Sequence, residues 1–292
     1  MAAVIKTDRG AAPARADSRL RVVARRNPTI VLGASLLGVM AVLALTAPWF
    51  AGDPLAMAPV NRLLPPSAEN WFGTDHLGRD GYTRTIYGAR ISMAVGLCVA
   101  ALSVSIGLTI GLAAGYFRRV DAIVMRFMDG LMAIPGILLA IAMVALSGAS
   151  VLVVIVAITI PEIPRVVRLV RSVVLSAREQ PYVDAAISGG SRAVKIILRH
   201  ILPATINPLI VQATYISASA ILVEAGLSFL GAGVPPEIPT WGNMIASSRG
   251  RLGVAPGTIF FPGACLAIVV LAVNLLGDGL RDRLDPRLAR RM

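Results

Sequence analysis

Few residues in this 292-residue chain are of types that do chemistry, and they do not gather into a catalytic set. The only histidines are His76 and His200, and the two cysteines, Cys98 and Cys265, each sit inside a long apolar run. Gly226-Leu227-Ser228 is similar to a serine nucleophile turn, but a serine needs a base within hydrogen-bond reach. His200 falls at the opposite end of an apolar helix from Ser228, and His76 lies in a separate polar segment. Zinc has no HExxH motif or cysteine pair to bind. A phosphate-binding G-x-x-x-x-G-K-[ST] loop is missing as well, because the only lysines, Lys6 and Lys195, follow no glycine. The chain is therefore expected to have no catalytic residue, no metal and no cofactor of its own. Asp75, His76 and Asp80 have metal-ligand types, but beside glycines they read as turn chemistry, with Asp80 capping the helix that follows.

Three other ionisable residues stand in apolar surroundings: Asp129, Glu162 and Glu224. At membrane depth such residues mark a pathway by default. Asp129 has Arg126 one turn away, so an intrahelical pair is expected. Glu162 lies between Pro161 and Pro164, close to the inner face, with Arg165 three residues on. Glu224 has no basic residue within a turn, so its partner must come from another helix, a water-filled cavity or a cationic group of a substrate.

The elements that hold these residues follow from composition. With 56% hydrophobic and only 15% charged residues, the chain has too few charges to cover a water-facing surface. Its excess of +12 is an unconvincing nucleic-acid footprint on so apolar a sequence and is better read as a topology signal. About 20 helical residues cross a hydrocarbon core of about 30 Å. Windows of that kind predict an all-α membrane protein with six transmembrane helices, at about 29–50, 91–117, 123–146, 151–171, 206–230 and 257–280. Ser147-Gly148-Ala149-Ser150 divides a charge-free stretch too long for one span.

Counting from a cytoplasmic N-terminus, 22 of the 28 Lys+Arg fall in inner segments and only Arg62, Arg79, Arg84, Arg90, Arg249 and Arg251 in outer ones. Both termini are then inside. The first apolar run follows a basic stretch without a small-residue cleavage site and reads as an uncleaved anchor. The chain divides into a basic segment (1–28), the first span with a proline-rich outer excursion (29–90), a core (91–280) and a basic tail (281–292).

Two patterns inside the core call for explanation. Gly107, Gly111 and Gly115 recur every four residues, which lets another helix approach closely, either in the same subunit or across a subunit interface. After Pro161-Glu162-Ile163-Pro164 interrupts the fourth span, Arg165, Arg168 and Arg171 alternate with valines and leucines. That pattern predicts an amphipathic helix leaving the membrane into a segment of about 172–203, with two short helices and a glycine corner at Gly189-Gly190. Such a segment is a docking element, or an interfacial helix lying on anionic lipid.

Here the residues resemble a known family. Tyr182-Val183-Asp184-Ala185-Ala186, then Gly190, then His200-Ile201-Leu202-Pro203 resembles the cytoplasmic signature of ABC importer permeases. Trp71-Phe72-Gly73-Thr74-Asp75-His76-Leu77-Gly78-Arg79-Asp80, Gly226 to Gly233 with Pro239-Thr240-Trp241-Gly242-Asn243, and Gly277 to Arg287 extend the likeness. It is most similar to the second permease of the dipeptide, oligopeptide and nickel importers.

The resemblance implies a type I ABC importer permease fold with cytoplasmic coupling helices, in a bacterial inner membrane. It makes Tyr182, Asp184, Ala185, Ala186, Gly190, His200, Leu202 and Pro203 the ATPase-coupling residues, although Asp184 stands where the family usually has Glu. Gly190 would set the corner and Asp184 would bond across it. Gly73, Thr74, Asp75, Leu77, Gly78, Arg79, Asp80 and Trp241 would form a periplasmic gate or a binding-protein contact, and Glu224 and Asp129 would line the pathway. Implied partners are a second homologous permease in a heterodimer, two P-loop ATPase subunits carrying ATP and Mg, an extracytoplasmic solute-binding protein and membrane lipid, with no nucleic acid. A nickel or other small-solute importer, or an ion-coupled secondary transporter, remains the alternative.

Overall fold

The computed structural model describes residues 27–284; most of the basic N-terminal segment, and Asp285-Pro286-Arg287 with the rest of the tail, lie outside the described residues. Helix α1 is Pro28–Phe50, started by a proline in its first turn where no N–H is needed. An irregular, proline-rich segment leads to α2, Gly81–Tyr116. Asp80 caps α2 as expected, accepting from the Thr83 N–H at 2.8 Å and the Thr83 hydroxyl at 2.7 Å. At 36 residues α2 is roughly 54 Å long, well beyond the thickness of a hydrocarbon core.

The expected third span is not one helix. It divides into α3, Arg118–Ala133, and α4, Gly136–Ser147, bent by 85° to each other. The break falls at Ile134-Pro135: proline has no N–H for the helical ladder, and its ring pushes Ile134 to extended backbone, φ −90° and ψ 126°. The fourth span departs in the other direction. Helix α5, Val151–Arg178, starts at a Ser150 cap and runs unbroken through both Pro161 and Pro164. Membrane helices absorb such prolines when neighbours satisfy the freed backbone groups.

Two short helices follow, α6 at Pro181–Ser188 and α7 at Ala193–Ile196, and then a π turn at Ile197–Ile201 that merges into α8, Leu202–Phe229. Pro203 explains the π turn. It cannot donate to the carbonyl four residues back, so the ladder widens and the Leu202 N–H reaches the Ile197 carbonyl five residues back. As a result the second short helix and the fifth span form one rod, Ala193–Phe229. Helix α9, Trp241–Ser248, and α10, Gly257–Leu284, complete the bundle.

By length and apolarity four rods can cross a membrane, Pro28–Phe50, Gly81–Tyr116, Ala193–Phe229 and Gly257–Leu284, with the bent α3–α4 pair as a fifth. Helix α5 covers the remaining expected span but carries Glu162, Arg165, Arg168 and Arg171. Two apolar cores share α2 and α8. One joins them to α4, α5, α6 and α7, and the other joins them to α1, α9 and α10.

The glycine stripe of α2 packs inside the subunit. A Cβ at Gly107, Gly111 or Gly115 would stand 2.5, 2.7 or 2.6 Å from the Cβ of Val166, Val170 or Val174 respectively. Three valines at the same four-residue spacing on α5 thus fill three notches in α2, and all three are fully buried. Lipid tails are as apolar as valine, so close packing rather than hydrophobic transfer holds this pair. We predict that Gly111→Leu lowers the thermal midpoint of the detergent-solubilised protein, at a cost of about 1–3 kcal/mol from overpacking. Gly38→Ala, at a site with nothing within 4 Å, should leave it unchanged.

Candidate functional site

The 181–201 segment forms a hairpin at the basic end of the bundle. Val183, Ile196 and Ile201 are fully buried in the core that α2, α5 and α8 share, so the hairpin is fastened from within. Its other face is open: Tyr182, Asp184, Ala185, Ile187, Val194 and Leu198 are exposed. Backbone bonds close the corner, from Gly189 N–H to the Ala185 carbonyl, Gly190 to Ile187 and Ser191 to Ala186, at 2.9, 2.9 and 3.0 Å. Only Gly190 needs glycine here, with φ +74°, while Gly189 has an ordinary φ of −77°. A Cβ at Gly190 would meet nothing within 4 Å.

The expected bond from Asp184 across this corner is not made. Asp184 is exposed and its carboxylate has no partner among the described residues. The corner needs no side chain because backbone groups already close it, which leaves Asp184 facing outward beside Tyr182 and Ile187. Of the other expected coupling residues, His200 is half-buried with its ring 6.4 Å from that of Tyr182, Ala186 packs against the core, Leu202 is half-buried and Pro203 is exposed.

Helix α5 delivers the hairpin, and its arginines hold it to the rest of the chain. The Arg178 guanidinium donates to the Gly115 and Tyr116 carbonyls at 3.2 and 2.9 Å and lies 5.1 Å over the Tyr116 ring, which seals the C-terminus of α2. Arg171 grips both oxygens of Asp121, with its Nη2 bond at 2.7 Å and a second bond from Nε. Arg168 pairs with Asp129 at 2.7 Å. Arg165 donates to both oxygens of Glu162 at 3.1 and 3.2 Å.

Asp129 therefore pairs with Arg168, not with Arg126. The pair spans 39 residues of sequence, and the 85° bend at Pro135 brings α3 alongside α5. Nor do these residues make a free basic face: Arg165, Arg168, Arg171 and Arg178 bond to the chain itself, and Arg192, Lys195 and Arg199 are the exposed remainder between 165 and 199.

At the far end, the 73–80 motif is folded inward. Asp75 accepts from the Leu77 and Arg79 N–H groups at 2.8 and 2.9 Å and from Arg79 Nε at 2.6 Å, with Arg84 Nε 3.9 Å away. Thr74 joins the Leu64 N–H and the Asn61 carbonyl. Gly73 and Gly78 have φ +73° and +76°, and a Cβ at Gly78 would overlap the Ala58 carbonyl. Gly73, Thr74, Asp75, Gly78 and Arg79 are buried, whereas Leu77 is partly exposed. Burial alone would raise the Asp75 carboxyl, but the Arg79 and Leu77 N–H groups and the Arg79 guanidinium outweigh it and hold the group below the usual carboxylate range. Burial, together with Arg251, Arg79 and Arg84, pushes the His76 imidazole down against the pull of Asp75.

Trp241 is fully buried, donating from Nε1 to the Thr85 carbonyl at 3.0 Å and from its backbone N–H to the Ser92 hydroxyl at 3.2 Å. It pins the second loop to α2 and presents no surface of its own. Glu224 is fully buried too. Its Oε1 accepts from the Ser228 and Thr240 hydroxyls, both at 2.9 Å, and Oε2 is buried without a partner among the described residues. Glu224 thus lines no open cavity and ties α8 to the N-cap of α9. Sequence reasoning passed over Thr240, although a threonine immediately before a helical Trp-Gly-Asn is an N-cap signal.

Known proteins share this chain's sequence and fold. The family model described as "Binding-protein-dependent transport system inner membrane component" matches residues 103–290. A probable peptide ABC transporter permease protein of Sinorhizobium fredii is 58% identical, over 92% of each chain. A dipeptide transport system permease protein of Alkalihalophilus pseudofirmus is 44% identical, over 90% of this chain and 88% of its own. Among solved structures, a chain of the inward-facing MetNI methionine ABC transporter superposes with a TM-score of 0.55 at 20% identity, over 69% of this chain and 96% of that one.

The buried Asp75 cluster generates a prediction. Asp75→Ala leaves Arg79 and Arg84 buried without their counter-ion and should cost about 3–5 kcal/mol locally, read as protease cleavage within 51–80 in proteoliposomes. Because the folded carboxyl titrates below its ordinary value of about 3.9, its stabilisation is complete above that pH. It is lost as pH falls through the lowered folded value, so wild-type protein should become cleavable there in strong acid.

Proposed function

The chain belongs to the family of binding-protein-dependent transport system inner membrane components, and we propose that within it the chain is the permease subunit of an ATP-driven importer of peptides. Membership in this family brings ATPase and binding-protein partners, and the sequence lacks a phosphate-binding loop of its own. The peptide assignment follows the names of the relatives, which carry it at 58% and 44% identity over most of this chain. In our reading a second, homologous permease completes a heterodimer above two ATPases, and the basic end of the bundle faces the cytoplasm with both termini.

The observation that carries the coupling role is the hairpin at 181–201. It is anchored by Val183, Ile196 and Ile201, yet it exposes Tyr182, Asp184, Ile187, Val194 and Leu198 on a single projection. Exposed apolar residues around one carboxylate suit a groove on an ATPase better than water. Closure of the ATPase pair would pull this projection, and the movement would pass into two rods at once, α5 through the short 179–180 connection beside the Arg178 clasp on α2, and the α7–α8 rod through its π turn. Alternating access then follows as rigid-body rocking of packed helices. The buried 73–80 motif and Trp241 act as the scaffold that fixes the periplasmic loops, leaving Trp71, Leu77 and the 231–239 loop to meet the gate or the binding protein.

Gly190→Val tests the coupling role. A β-branched residue at φ +74° stores about 1–2 kcal/mol of strain at the corner, where its Cβ meets nothing within 4 Å. We expect the reconstituted complex to assemble and hydrolyse ATP while peptide uptake per ATP falls; uptake per ATP equal to wild type would remove the role.

A further inference from the structure

Beside a recess of about 290 Å³ at the outer loops, two recesses among the described residues lie between the long helices. The larger, about 920 Å³ between α1, α2, α8 and α10, is apolar almost throughout and suits acyl chains. The smaller, about 320 Å³, lies at the 85° bend between α3 and α4 and is closed by α5 and α8. Its size is at the lower end of the roughly 300–1,000 Å³ of small-ligand sites. Its walls are Pro135, Gly136, Ile158 and Val223, and its polar groups are Glu162, Arg165, Tyr215 and Ser219.

These groups lie deep. Glu162 is about 17 Å along α5 from its Val151 end, and Tyr215 and Ser219 are about 21 and 15 Å along α8 from its Phe229 end. Measured from those helix ends, these distances are about half of a hydrocarbon core about 30 Å thick. Backbone breaks at such depth persist where they line a cavity, and unpaired polar groups there are costly.

The pairing is incomplete in an informative way. Arg165 uses only Nη1 on Glu162, so Nε and Nη2 have no partner among the described residues, and the guanidinium is half exposed toward the cleft. The Tyr215 and Ser219 hydroxyls are likewise without a partner there. Glu162 is held within the wall, its side chain only 11% exposed. A guanidinium fork with unused donors recognises a carboxylate bidentately, and a fixed carboxylate recognises an ammonium. One acid and one base three residues apart therefore match a small zwitterion better than a cation, an anion or a lipid tail.

Resting on the peptide-permease reading, we propose that this cleft is a passage site for the charged ends of a peptide, Arg165 receiving its carboxylate and Glu162 its ammonium. The pair bonds to itself when the cleft is empty, which keeps two charges neutralised at mid-membrane, and exchanges that bond for the two termini during transit. Tyr215 and Ser219 then serve the amide between them.

The test uses the full complex in proteoliposomes with its own binding protein, ATP inside, and three probes: alanyl-alanine, its C-terminal amide and its N-acetyl derivative. Arg165→Gln should reduce the preference for the free acid over the amide by about tenfold relative to wild type. Glu162→Gln should do the same for the free amine over the N-acetyl form. The binding protein is common to all samples, so a change in either ratio belongs to the permease. Preferences equal to wild type in both variants overturn the proposal and leave the peptide reading standing. Failure of both variants to co-purify with the second permease marks the pair as an interface element and overturns it too. No ATP-dependent alanyl-alanine uptake by wild type overturns the peptide reading, and the proposal with it.

Discussion

The structure depends on the contact between α2 and α5. Three glycines of one helix receive three valines of the other at matching spacing, so the two backbones run together over their C-terminal halves. Packed interfaces of this kind move as units because they have no intermediate arrangement that keeps the contacts. Arg178 closes the end of the contact on the Gly115 and Tyr116 carbonyls, and Arg171 fastens the start of α3 through Asp121. Helix α5 is thereby fixed against α2, and the hairpin at its end is placed by packing rather than by a flexible linker.

The opposite end is built on a different principle. Asp75 collects two backbone N–H groups and a guanidinium, and Glu224 collects two hydroxyls, so each loop is organised around one buried carboxylate. Trp241 then bolts the second loop to α2 through the Thr85 carbonyl and the Ser92 hydroxyl. The motif residues that invite a direct gating role mostly hold the loops still. A permease that rocks rigid bundles needs such fixed ends as much as it needs moving parts.

Much of this was legible in the sequence for identifiable reasons. Asp80 as a cap, the corner at Gly190 and the all-α membrane class each rest on local chemistry or on the periodicity of apolar residues. The glycine stripe announced a close approach but not its partner, since Val166, Val170 and Val174 look like ordinary span residues until placed opposite it. Errors arose where proline acts through its surroundings. Pro135 breaks a helix that apolarity alone predicts to be continuous, and Pro161 and Pro164 fail to break one. From that misplacement followed the wrong partner for Asp129, because it depends on how α3 and α5 lie together. The bond expected of Asp184 failed for a smaller reason, namely that the backbone had already closed the corner.

The central claim is that the exposed face of the 181–201 hairpin is where an ATPase subunit grips this chain. The most direct measurement places a photocrosslinking amino acid at Ile187 or Val194, both exposed, in the assembled complex and identifies the captured protein by mass spectrometry. The account predicts capture of the partner ATPase at both positions, with yields that change between ATP-bound and nucleotide-free states. Capture of lipid alone, or of no ATPase in either state, would contradict it.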